Sequence, residues 1–279
     1  MNDSMAIRLV ALDLDNTLLD APNHISEAGQ AVIEKAIRQG VMVTLASGRM
    51  FSAVAPLGDQ LGLDIPLITY NGALIKASKS GEVYFHLPVP YDLSLEIIRY
   101  AEENDLTVNT YIDEVVYVNR MSDEAEMYSS RYGAKVVAVP DLAAFLRQRS
   151  AEGSTKLLIL APEEIARKHL GILKQRFGDR LNIMISLPTY VEVVNKGVSK
   201  GRALLKLAER FGIHAGEIMA IGDSENDIEM LKAASIGVAV ANAEESVKQM
   251  ADYVTEAPDG NGVAEAFGKF IFEPASADT

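Results

Sequence analysis

Apolar and polar positions change period twice within the first fifty residues, and the changes predict a strand, a helix and a second strand. Ile7 to Leu14 (IRLVALDL) is an apolar run of strand length, rich in Val and Ile and closed by acids, the pattern of a strand buried on both faces. The chain then turns at Asp15-Asn16. Val32, Ile33, Ala36 and Ile37 recur at helical spacing, with Ser26 placed as an N-cap and Gly40 as the glycine that follows a helix. Val41 to Leu45 (VMVTL) follows as another buried strand, so the three segments form a βαβ unit with a parallel pair.

The same alternation returns near the other end. Helices are expected at Ser199 to Arg210, Asn226 to Ala234 and Glu244 to Met250, with strands at Glu217 to Ile221, Ile236 to Val240 and Tyr253-Val254. Both ends of the chain therefore read as one doubly wound, Rossmann-like parallel sheet of the α/β class. Between them the texture differs. Tyr91 to Asn104 is helical, and Thr107 to Ile112 with Val115 to Asn119 reads as a hairpin around Asp113-Glu114. Further helices (Asp141 to Arg149, Glu163 to Phe177) and strands (Thr155 to Leu160, Asn182 to Ser186) supply enough apolar faces for a separate α+β core. The expected division is a core of residues 1–87 and 188–279 with an inserted domain of 88–187, its edges near Pro88 and Pro188.

Composition narrows the function. At 279 residues and 48% hydrophobic content the chain can bury two cores. A formal net charge of −13 argues against a nucleic-acid or anionic-membrane surface, which needs a basic patch. There is no cysteine, hence no disulfide, thiolate nucleophile or Cys-type zinc site. Met1 to Leu12 lacks the basic start and apolar core of a secretory signal, and no apolar run is long enough to span a bilayer, so the protein reads as cytoplasmic.

Chemistry is left to carboxylates, hydroxyls and lysines. Asp13-Leu14-Asp15 closes the first strand at its carboxyl end, where open α/β sheets place ligands, and side chains two apart on extended chain point the same way. Two acids at close range ask for a cation or a shared proton, and magnesium, a hard ion with a preference for oxygen, meets that demand. Gly222-Asp223-Ser224-Glu225-Asn226-Asp227 also follows a buried strand and enters a helix, supplying the distant acid such a site requires. Ser47, after a third strand, offers with the neighbouring glycine N–H short donors for phosphate oxygens, and Lys200 in the first turn of a helix can hold an anion. Ordinary capping explains any one of these features; it does not explain acid-rich turns at equivalent ends of two buried strands.

With these residues the chain resembles the haloacid dehalogenase superfamily, and within it the Cof-type (subfamily IIB) phosphatases that carry an α+β cap domain of the second (C2) type. Asp13-Leu14-Asp15-Asn16-Thr17, Ser47, Lys200 and Gly222 to Asp227 match its four motifs in order, with the long insertion between the second and third. Asn16 stands where many relatives have glycine and Ser47 where many have threonine. The resemblance implies a Mg2+-dependent phosphatase acting on phosphomonoesters of small metabolites, such as sugar phosphates, through an aspartyl phosphate. It implies Asp13 as nucleophile and Asp15 as the acid and base. Asp13, Asp15 (through its backbone carbonyl) and Asp223 would hold the metal. Ser47, Gly48, Lys200 and Asn226 would hold phosphate oxygens, Asp227 would orient Lys200 or a water, and Arg49 would assist binding or form an outward salt bridge. The expected partner is a small phosphorylated metabolite, with no nucleic acid and no membrane, the protein acting as a monomer or homodimer. A hexose phosphate mutase of the same fold and a non-catalytic metabolite-binding module are the alternatives. Asn71-Gly72 reads as a structural turn, and Gly260-Asn261-Gly262 is not a dinucleotide fingerprint because Glu265 stands where glycine or alanine is needed.

Overall fold

The computed structural model describes residues 6–63, 66–149 and 152–272. The chain divides into two compact units, one built from the segment ending at Ser47, Val54–Tyr84 and the segment from Ser199, the other from Gly48–Ala53 and Phe85–Val198.

The first unit is built on a five-stranded sheet in the order Tyr253–Val254, Ile236–Ala239, Ile218–Gly222, Leu9–Leu12, Met42–Leu45, every pair parallel. Leu9–Leu12 is central and wholly buried, which is why its run of apolar residues is continuous rather than alternating. Leu12 pairs with both Ile221 and Leu45, so Asp13, Gly222 and Ala46 stand at one level at the carboxyl ends of the three strands. The Ser26 hydroxyl caps the helix Glu27–Arg38 by accepting from the Gly29 N–H at 3.1 Å, and Ile33 and Ala36 face inward. The helix Lys200–Arg210 is capped in the same way by Ser199 and buries Lys200, Ala203, Leu204 and Leu207. Gly201 lets this helix approach the helix Ile228–Ala233: a Cβ there would stand 2.4 Å from the Glu229 carbonyl oxygen. Leu67–Thr69 and Leu74–Lys76 pair antiparallel in the same unit.

The second unit holds a six-stranded mixed sheet in the order Val136–Ala138, Val115–Val118, Thr107–Ile112, Leu157–Leu160, Tyr190–Asn195, Leu181–Leu187. The expected hairpin is present, and Asp113 and Glu114 both take positive φ, the backbone that a two-residue turn matched to strand twist requires. One face of the sheet, with Val108, Ile112, Leu157, Ile159, Val191 and Val193, packs on the helices Tyr91–Glu103, Leu142–Arg149 and Glu163–Phe177.

This unit runs further than the division drawn at Pro188. Tyr190–Asn195 lies inside its sheet, antiparallel to both Leu157–Leu160 and Leu181–Leu187, and the unit ends at Val198. Pro188 and Thr189 turn a hairpin within one sheet rather than linking two domains, and a proline reads alike in either role. The helices Phe51–Gln60, Asp123–Tyr132 and Asp259–Phe267 were not anticipated: the first carries Pro56 in its interior, the second has few apolar positions, and the third opens with two glycines. Among the described residues no helix is long and apolar enough to cross a membrane.

Candidate active site

The common level of the strand ends brings together acids that are distant in the chain. Asp13 and Asp223 are buried, Asp227 is completely so, and oxygens of the three carboxylates lie within 4.8 Å of one another. The Lys200 ammonium sits between two of them, 2.5 Å from Asp13 Oδ1 and 2.6 Å from Asp227 Oδ1. Thr17, also buried, donates its hydroxyl to Asp223 Oδ1 at 3.0 Å. Asp227 Oδ2 accepts from the backbone N–H groups of Asp223 and Ser224, both at 3.1 Å. That carboxylate therefore locks the turn after Ile218–Gly222 with one oxygen and holds Lys200 with the other. The placement of a lysine in the first turn of its helix, unfavourable against the dipole, is explained by these two partners.

Three carboxylates and one ammonium leave two negative charges in a buried space when all are ionised. Burial, and next the charge of Asp227, push the Asp13 carboxyl well above the usual carboxylate range. The same causes push Asp223 up to about 6. For Lys200 burial acts downward, but Asp13 and Asp227 outweigh it and hold the ammonium above its ordinary value. An all-oxygen, buried, net-negative set whose acids resist ionising together fits a hard divalent cation.

The other expected residues are distributed as follows. Asp15 is half-buried just beyond the first strand, bridged through its backbone to Leu19, and its side chain is not one of the three close carboxylates. Ser47 is buried, with its N–H given to the Ile68 carbonyl and its carbonyl accepting from the Asn71 N–H. Asn226 donates from Nδ2 to Asn71 Oδ1 at 3.1 Å, while its own Oδ1 accepts from the Ser224 hydroxyl at 2.8 Å. Gly48 and Arg49 group with the second unit. Arg49 is buried, its guanidinium 5.1 Å from the Tyr132 ring centre.

Two features escape sequence reasoning. Lys156 and Glu192, both buried, form an ion pair at 3.1 Å in the second unit, and the same ammonium donates to the Gly48 carbonyl at 2.7 Å. Nothing in the sequence separates such a lysine from a surface one. Thr17 could have been singled out from its place four residues after Asp13, next to an acid-rich turn.

The protonation of the acids gives a measurable signature. Between about pH 4, where free aspartate ionises, and the raised folded values, the native protein binds more protons than the unfolded chain, so stability falls as pH rises through that window. In the absence of divalent cations the melting temperature will therefore decline from pH 4.5 to pH 7. A saturating divalent cation that fits the cluster will raise it by about 5–10 °C at pH 7.5 and by much less at pH 5, where protons compete for the same oxygens. Equal shifts at both pH values, read by scanning calorimetry, would contradict this electrostatic account.

Fold and acid cluster together define a phosphoryl-transfer hydrolase of the haloacid dehalogenase type. The family model for haloacid dehalogenase-like hydrolases matches residues 10–267, and the chain belongs to that family. Within it the protein is a Cof-type, subclass IIB phosphomonoesterase. A phosphoglycolate phosphatase of Methanoculleus marisnigri is 32% identical over 267 residues, 95% of this chain and 97% of that one. The crystal structure of TM0651 from Thermotoga maritima matches with a TM-score of 0.81 at 33% identity over 98% of each chain. The subclass IIB sugar phosphatase BT4131 matches with a TM-score of 0.77 at 25% identity, over 94% of this chain and 98% of that one.

Proposed function

We propose that the protein is a cytoplasmic, Mg2+-dependent phosphatase that hydrolyses phosphomonoesters of small metabolites, sugar phosphates or related compounds, through phosphorylated Asp13. The observation that carries this reading is the Lys200 ammonium lodged between Asp13 and Asp227 with Asp223 in the same few ångströms, at the carboxyl ends of adjacent parallel strands. Asp13 attacks phosphorus: a bond forms from its carboxylate oxygen while the bond to the leaving oxygen breaks. Asp15 gives that oxygen a proton, without which an alkoxide leaves poorly. Asp15 then takes a proton from the water that attacks the phosphoryl group, releasing inorganic phosphate and restoring Asp13. Lys200, Ser47, the Gly48 N–H and Asn226 hold the equatorial oxygens where charge accumulates. Asp13, the Asp15 carbonyl and Asp223 would hold Mg2+, which offsets the repulsion between carboxylate and phosphate dianion. The two phosphatases above act on different metabolites at similar distance from this chain, so the family alone leaves the substrate open.

The test is phosphate release from a panel of phosphorylated metabolites. Turnover with Mg2+ that stops on chelation and returns on adding the ion is the expected result. Phosphate appearing on a second sugar instead of in solution would indicate a mutase, and Mg2+ binding with no turnover over the whole panel would indicate a binding module.

A further inference from the structure

The turn Tyr70–Gly72 does more than join two strands. Tyr70, Asn71 and Gly72 all take positive φ (53°, 58° and 98°), a costly backbone for a bulky tyrosine. The turn is also buried, with Asn71 1% exposed. Strain in a buried turn persists only where the surroundings hold it, and here three segments do so. The Asn71 N–H donates to the Ser47 carbonyl at 3.0 Å. Gly72 lies against the peptide that starts the Lys200 helix, where a Cβ would stand 2.4 Å from the Ser199 carbonyl oxygen. The Asn71 side-chain oxygen accepts from Asn226 Nδ2. These are the segments to which the proposed reaction assigns the phosphate oxygens.

We infer that Asn71 is a positioning residue for phosphoryl transfer, fixing the amide of Asn226 so that it presents one N–H to the phosphate. The inference rests on the proposed phosphatase activity for the role of Asn226. The Ser224 hydroxyl donates to the amide oxygen of Asn226 at 2.8 Å, holding the other end of that side chain. Of the two hydrogens on that nitrogen, one goes to Asn71, and the bond fixes the direction of the other. Without it the Asn226 side chain rotates, and phosphate affinity and rate fall together whatever the leaving group is.

A double-mutant cycle tests this. Asn71→Gly keeps the positive φ without strain and removes only the side chain. It will lower kcat/KM about tenfold for p-nitrophenyl phosphate and sugar phosphates alike, with a melting temperature close to that of the wild type. In an Asn226→Ala background the same change will cost less than about twofold, because the partner it orients is gone. Multiplicative losses, or a loss in melting temperature with kcat/KM unchanged, would overturn the assignment while leaving the phosphatase reading intact. Asn71→Ser provides the same comparison if the glycine variant does not fold. If the wild type hydrolyses no ester, the activity proposal fails, and the cycle is read from the dissociation constant of inorganic phosphate by calorimetry, where additivity again refutes the coupling.

Discussion

Asp13→Asn will fold, will bind substrate, and will release phosphate at least about 10⁴-fold more slowly than the wild type, because the amide cannot supply the attacking electron pair. Shape and volume are preserved, so the loss cannot be assigned to misfolding. The stability change makes the result more specific. Asp13 is buried beside two further acids, and its carboxyl is held well above its usual range. A neutral amide removes that repulsion and leaves Lys200 paired to Asp227. In the absence of metal the variant should therefore melt no lower than the wild type at pH 7.5. Turnover above about one part in a thousand of the wild-type rate would end the assignment of Asp13 as nucleophile.

Lys200→Met will reduce both stability and activity. The ammonium is 1% exposed and bonded to two carboxylates, so its removal leaves buried acids without their counter-charge, a change that costs about 3–5 kcal/mol in comparable buried pairs. In a chain of this size that is a drop in melting temperature on the order of 10 °C. The pH dependence has a definite sign. Without Lys200 the acids hold protons to higher pH when folded, so the deficit grows from pH 5 to pH 8. The Lys200 ammonium is itself held above its ordinary value, so its own titration takes nothing from this stabilisation below the unfolded value near 10.4, and the loss comes as pH climbs through the folded one. Lys200→Arg should not restore activity: a planar guanidinium cannot sit 2.5 Å and 2.6 Å from two carboxylates in a space shaped for a compact ammonium. Chemical denaturation at two pH values, together with kcat/KM, reads the whole prediction.

The sheet of the first unit was legible because strands buried on both faces leave continuous apolar runs, and because Leu12, Ile221 and Leu45 are each followed within two residues by a polar one, Asp13, Asp223 and Ser47. The acids could be paired from sequence for the same reason, since ends of adjacent parallel strands share a level. The limit of the inserted unit was not legible. Val191, Val193 and Val194 carry a strand signal, yet Pro188 ahead of them reads as a linker, and only pairing with Leu181–Leu187 shows it to be a turn. Arg49 could be read as a substrate-binding residue or an outward cation alike, because packing against Tyr132 leaves no trace in its neighbours along the chain. Asn71-Gly72 was read as a hairpin turn, which it is; its hold on Asn226 depends on tertiary contact that no local pattern encodes.

The central position of Leu9–Leu12 also bears on how the chain is made. This strand finds Met42–Leu45 soon after it in the chain, but its other neighbour, Ile218–Gly222, is synthesised only after the whole inserted unit. Thr17 and Asp223, which meet through a hydrogen bond, are 206 residues apart. During translation one apolar edge of the nascent sheet therefore stands open until Ile218–Gly222 leaves the ribosome, a slow, non-local closure that exposes the chain to association with other molecules.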